Sequence, residues 1–267
     1  MDLSGIKLVV TDMDGTLLNS DHEVSDRFFE LFSQLKAHDI LFAAASGRQY
    51  NSIVDKLSPI KKDIIVIAEN GGFAMDNQLE LVSTPLDPLI KNDILNTVEA
   101  LQEVHPVLCT KHKAYLGRDS HFFLEKLKEY YTEFETLEDL KSFEGEVMKI
   151  AVYHHESSEA YIYPGVKHFE KDLKVKVSGE NWVDLSHKDA HKGFALQIIQ
   201  QQYQITPEET MVFGDYNNDL EMMALADFSF AMANAHPNIL SAARYSTASN
   251  NDFGVEQILE KLVASRT

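Results

Sequence analysis

The stretch KLVVTDMDGTLLNS, Lys7 to Ser20, opens as a buried strand and closes in a way that buried strands avoid. Leu8, Val9 and Val10 form an apolar, β-branched run, but Asp12 and Asp14 stand two residues apart at its end, ahead of a Gly-Thr turn. If the strand runs on to Asp14, its period of two puts both carboxylates on one side; a turn beginning there changes their directions and keeps them close. Close carboxylates repel. A shared proton, a cation such as Lys, or a hard metal ion that prefers oxygen ligands relieves the repulsion. The plainer alternative is that one Asp bonds its own turn and the other faces water.

Outward from this stretch, apolar runs alternate with helical periodicity: ILFAAAS and DIIVIAEN as strands, DRFFELFSQLKAH and YNSIVDKLS as helices. The last third repeats the alternation with HKGFALQIIQQQY, TMVFGD, NDLEMMALA, FSFAMAN and HPNILSAAR. Such alternation predicts right-handed βαβ units and an α/β fold, a Rossmann-like doubly wound parallel sheet. Thr206-Pro207-Glu208-Glu209 reads as a helix start, with Thr as cap and Pro at the first helical position. Between Thr84 and Ser186 the pattern changes. Amphipathic KNDILNTVEALQEV and SHFFLEKLKEYY alternate with AYLGRD, VMKIAVYH, VKVSG and WVDLS, which predicts an inserted α+β domain over 84–186 within a core of 1–83 and 187–267.

The 267 residues are 44% hydrophobic, enough for a sizeable core, and carry a formal net charge of -18. That acidity argues against nucleic acid as a partner, because phosphate-backbone binding needs clustered Lys and Arg. Cys109 is the one cysteine, so neither an internal disulfide nor a multi-cysteine metal site is available. The start, MDLSGIKLVV, has too short an apolar run for a signal peptide, and no stretch approaches a membrane span. The expectation is a cytoplasmic protein without a membrane partner, a monomer or small homo-oligomer.

In a parallel sheet, ligands bind at the carboxyl ends of the strands. There the sequence places Asp12 and Asp14; Ser46 and Gly47, a hydroxyl and an unhindered N–H suited to an anion; and Asn70 and Gly71, which by default make a tight turn. Lys192 stands near the start of an apolar helix, where a cation opposes the helix dipole and an anionic partner would explain it. Asp215 ends another strand, followed by Asn218 and Asp219 at a helix start, where acidic residues also serve as ordinary caps. The set suits Mg2+ and a phosphoryl group. His154-His155 and His187-His191 lack a third ligand at a defined spacing and read as solvated surface, and Trp182 as core packing.

Four stretches, DMDGT, SGR, HKG and GDYNND, resemble the four motifs of the haloacid dehalogenase superfamily of phosphohydrolases, in the family's order and over nearly the whole chain. The insert resembles the α/β cap of the Cof-type subfamily, as do AENGG, FAMANA and ASNNDFGV; VTDMDGT, ASGRQY, VIAENG and MKIAVYH most resemble bacterial sugar-phosphate phosphatases. The resemblance implies a Mg2+-dependent hydrolase of small phosphorylated metabolites. In it Asp12 is the nucleophile and Asp14 the general acid and base; Asp12, Asp14 and Asp215 hold the metal; Ser46, Gly47, Lys192 and Asn218 bind phosphate. Thr16, Arg48, Asn70 and Asp219 stand in supporting places, and the cap selects the leaving group, with Lys113, Tyr115, Arg118 and Asn181 as candidate contacts. A phosphomutase or phosphotransferase using the same aspartyl-phosphate, and a non-enzymatic phospho-acceptor or binding protein, are the alternatives.

Overall fold

The computed structural model describes residues 1–118, 121–128 and 133–266. Along the chain the first strands are β1 (Leu8–Asp12), β2 (Leu41–Ala45), β3 (Ile65–Ala68), β4 (Phe73–Asp76) and β5 (Leu79–Ser83). Next come β6 (Val104–Cys109), β7 (Ala114–Leu116), β8 (Phe134–Thr136), β9 (Lys149–His154), β10 (Lys174–Gly179) and β11 (Trp182–Ser186). The last are β12 (Thr210–Gly214), β13 (Phe228–Ala231) and β14 (Tyr245–Ser246). The chain divides into two compact units, Met1–Val82 with His191–Thr267, and Ser83–Ala190.

The sheet of the first unit has the order β14-β13-β12-β1-β2-β3-β4-β5. From β14 to β3 every neighbouring pair is parallel, and β1 lies at the centre with Val10 opposite Val212 on one side and Ala43 on the other. β1 is buried along its whole length, the burial that its apolar run demands. The helix Asp26–Ala37 begins at Ser25, whose hydroxyl accepts from the Phe28 N–H. Its Phe28, Leu31, Phe32 and Leu35 recur at helical spacing and are buried; the rings of Phe28 and Phe32 lie 5.2 and 5.9 Å from Phe42 of β2. Each such side chain contributes about 1.5–3 kcal/mol.

Two local features refine the reading. The sheet is not parallel throughout: β4 runs antiparallel to β3, and β5 follows at the edge after a two-residue turn in which Asn77 has φ +51°. Thr206 caps a helix start as read, with Pro207 at the first helical position and Glu209 closing a capping box, but the helix is short. Pro207–Glu209 is a single 3-10 turn, because Thr210 already enters β12 opposite Leu8 of β1.

The unit Ser83–Ala190 holds a second sheet, ordered β10-β11-β9-β6-β7-β8, antiparallel except between β7 and β8. Its two faces bury separate clusters by strict alternation. Leu108, Ile150, Val152, Val183 and Leu185 pack with Ile94, Leu95 and Val98 of the helix Pro88–Glu99. Val107, Cys109, Ala151, Tyr153 and Trp182 pack with Phe123 and Leu127. Of the helix read in SHFFLEKLKEYY, His121–Leu127 is helical, and residues 120 and 129–131 lie outside the described residues. No helix among the described residues is long and apolar enough to cross a membrane.

Candidate active site

Because β1 lies between β2 and β12, its carboxyl end is flanked by the loop that starts at Ser46 and the loop that starts at Asp215. Asp12 is the last residue of β1 and is buried. The helix Lys192–Tyr203 brings Lys192 to it, fully buried, with Nζ donating to Asp12 Oδ1 and, at 2.7 Å, to Asp219 Oδ1. Burial alone lowers a lysine; here the two carboxylates outweigh it and raise Lys192, so the ammonium stays charged in the interior. Burial, with Asp219 and Asp215 nearby, holds the Asp12 carboxyl well above the usual carboxylate range despite Lys192.

Asp215 Oδ1 accepts from the Thr16 hydroxyl at 3.0 Å. Burial and the Asp219 charge raise its carboxyl, against Thr16, Asp12 and Lys192. Asp219 is committed on both oxygens: Oδ1 to Lys192, and Oδ2 to the N–H groups of Asp215 and Tyr216 at 3.0 and 3.1 Å. One oxygen each from Asp12, Asp215 and Asp219 lie within 4.8 Å of one another. With Asp219 consumed, Asp12 and Asp215 form a crowded pair with too little positive charge around it, a donor set that fits a hard divalent cation.

Asp14 points elsewhere. The strand stops at Asp12, and Asp14 lies in the turn beyond, where Arg48 grips its carboxylate with Nε at 2.7 Å and Nη2 at 2.6 Å. His22 Nδ1 stands 3.4 Å from Asp14 Oδ1. Burial raises the Asp14 carboxyl, but the Arg48 hydrogen bonds and charge, with His22, outweigh it and leave it below the ordinary value. Beside this pair, Ser46 is buried with its hydroxyl accepting from the Arg48 N–H at 3.1 Å, and Asn218 Nδ2 donates to Asn70 Oδ1 at 3.1 Å.

The turn after Asp14 has anchors that the motif residues do not include. Asn234 Nδ2 donates to the Gly15 carbonyl and Asn250 Nδ2 to the Leu18 carbonyl, both at 2.8 Å, while Asn251 exchanges hydrogen bonds with Ser20. Their only signal in the sequence is the density of asparagine in FAMANA and ASNNDFGV.

The candidate contacts of the inserted unit are engaged locally. Lys113 pairs with Glu135 and Arg118 with Glu138, Tyr115 packs 4.4 Å from the Phe143 ring, and Asn181 Nδ2 donates to the carbonyls of His154 and His155. His154 is not solvated surface: it is 2% exposed, and its Nδ1 accepts from the N–H groups of Glu156 and Ser157 at 3.1 and 3.4 Å. Glu103 joins His154 and His155 within 4.8 Å. The neutral His154 ring must then carry its proton on Nε2, which leaves no lone pair for a metal. His191 likewise caps its helix, Nδ1 accepting from the Phe194 N–H at 3.1 Å.

Residues 9–259 match the haloacid dehalogenase-like hydrolase family. The 5-amino-6-(5-phospho-D-ribitylamino)uracil phosphatase YbjI of Escherichia coli (strain K12) is 31% identical over 264 residues, 97% of this chain and 96% of its own. Among solved structures, SMU.1108c from Streptococcus mutans UA159 is 28% identical at a TM-score of 0.85, covering 97% of this chain and 99% of that one. A protein from Eubacterium rectale is 26% identical at a TM-score of 0.90, covering 96% and 99%. A likeness that runs the length of the chain, and not only through its four strand-end loops, makes this protein a haloacid dehalogenase-like hydrolase of the Cof type, and a phosphatase.

Proposed function

We propose that the protein hydrolyses small phosphomonoesters carried on a sugar or sugar-alcohol carbon, through an aspartyl-phosphate formed on Asp12. The observation that carries this reading is the buried Lys192–Asp12 contact, which holds Oδ1 and aims the carboxylate at the end of β1. Asp12 attacks phosphorus, and as the P–O bond to the sugar breaks, Asp14 gives its proton to the departing oxygen. Asp14 then takes a proton from water, whose oxygen attacks the aspartyl-phosphate and frees phosphate and Asp12. This acid–base role contributes about 10²–10⁴-fold. Ser46, the Gly47 N–H, Asn218 and Lys192 bind the phosphate oxygens; Asp219 positions Lys192, and Thr16 positions Asp215.

Asp12 and Asp215, with Asp14 through its backbone, would hold Mg2+, which when bound supplies positive charge between an anionic nucleophile and an anionic phosphate. We assign choice of the leaving group to the inserted unit, 83–190. The sugar-alcohol class is supported by the E. coli relative, whose named substrate carries its phosphate on a ribityl chain.

Phosphate release is measured from hexose, pentose and pentitol phosphates, nucleoside monophosphates, pyridoxal phosphate and flavin mononucleotide, with Mg2+ or with EDTA. Sugar and sugar-alcohol esters are expected to lead, and EDTA to suppress release. No release from any ester would sink the reading, and undiminished release in EDTA would remove the metal from it.

Asp14 must be protonated to act as an acid, yet Arg48 holds it ionised in this conformation. Formation of the aspartyl-phosphate should therefore slow as pH rises through the Asp14 pKa, and Arg48→Gln, by removing the charge that lowers it, should move that alkaline limb to higher pH. The pH profile of kcat/KM, which reports this first half-reaction, checks it; a limb that does not move contradicts the assignment of Asp14.

A further inference from the structure

Glu69, Asn70 and Gly71 follow β3 with φ of +49°, +56° and +96°. Three left-handed residues in a row make a strained backbone, tolerated by Asn and Gly and unusual for Glu. Three other segments of the phosphate site meet this turn: the loop after β2, the start of the Lys192 helix and the turn at Asn218. The N–H groups of Glu69 and Asn70 donate to the carbonyls of Arg48 and Ser46 at 3.0 and 2.9 Å. A Cβ on Gly71 would fall 2.3 Å from the His191 carbonyl oxygen, one residue before Lys192. Asn70 Oδ1 accepts from Asn218, which fixes the amide, and a Cβ on Gly47 would lie 3.1 Å from Asn70 Nδ2 and 3.2 Å from Oδ1. The carboxamide therefore lies against Gly47 where a larger residue's side chain would begin.

We propose that Asn70 is a positioning residue for phosphate recognition: its carboxamide, held by Asn218 and laid against Gly47, sets the spacing between the two sides of the phosphate cradle. The inference rests on the phosphate-site reading given above. Asparagine suits the position for two separable reasons, its tolerance of a left-handed backbone and its planar amide. Glycine offers only the first.

Asn70→Gly thus keeps the backbone and deletes the amide, while Gly47→Ala presses on the amide from the other side. Binding of inorganic phosphate is measured by calorimetry with Mg2+, beside kcat and KM for the best ester and the melting temperature. Asn70→Gly is expected to melt within a few degrees of wild type, to weaken phosphate binding about tenfold and to raise KM by a similar factor, with kcat moving less. Gly47→Ala is expected to weaken binding alone and to add almost nothing in the Asn70→Gly background, where its obstacle is gone. Wild-type binding and KM in Asn70→Gly, or additive losses in the double variant, overturn the proposal and leave Asn70 as a backbone choice. If Asn70→Gly does not fold, Gly47→Ala alone takes its place: weakened phosphate binding at an unchanged melting temperature supports the proposal, and wild-type binding overturns it. A wild-type protein that neither binds nor releases phosphate overturns the underlying reading, and this inference with it.

Discussion

Asp12→Asn is expected to lose phosphate release by about 10⁴-fold or more while its melting temperature without Mg2+ stays equal to or above that of wild type. The two halves of this result have one cause. The Asp12 carboxyl is raised by burial and by repulsion from Asp219 and Asp215, so keeping it ionised works against folding. A folded pKa above the unfolded value contributes stability only below the unfolded value and loses it as pH rises through the folded pKa. The neutral isostere escapes that loss, so its advantage should grow from acid to neutral pH, and Lys192 keeps Asp219 as a partner. Phosphate release and thermal melts across pH check both halves. Retained activity would remove Asp12 as nucleophile; a large drop in melting temperature would show that the Lys192–Asp12 contact holds the fold.

Lys192→Met should damage both activity and stability. Lys192 is fully buried between Asp12 and Asp219, and deleting one partner of such a cluster leaves uncompensated charge, at a cost of about 3–5 kcal/mol. Asp12 loses the cation that lowers its pKa and rises further. The Asp12 part of the penalty appears only where Asp12 is ionised in the wild-type fold, so the deficit should grow as pH rises through its raised folded pKa and be smaller at about pH 5 than at about pH 8. Denaturant unfolding at the two pH values measures it. A deficit independent of pH would mean that the ionisation of Asp12 is not responsible.

Much of this site was legible because a parallel sheet makes the positions of strand ends predictable: once IKLVVTD, ILFAAAS and TMVFGD are strands, Asp12, Ser46 and Asp215 must gather. The direction of Asp14 was not legible, since it depends on whether the strand stops at Asp12 or two residues later. The β4–β5 edge was hidden because Phe73–Asp76 and Leu79–Ser83 are short and partly exposed, which blurs their alternation. Asn234 and Asn250 reach the turn after Asp14 across 219 and 232 residues, and no local pattern encodes such a bond. The His154 reading failed for a related reason: a histidine that caps a buried turn and one that faces water have the same sequence neighbours.

The central place of β1 also shapes how the protein must be made. Leu8–Thr11 leaves the ribosome long before one of its two neighbours, Thr210–Phe213, and the asparagines that fasten its turn come later still. Until that neighbour is made, this apolar strand has an unpaired edge, the kind of surface that draws nascent chains into aggregates. A chain cut short before Thr210 would carry an intact DMDGT motif paired with β2 alone, without β12 or the asparagine anchors. Competence for chemistry and freedom from that exposed edge therefore arrive together, once β12 and the two asparagines have been made.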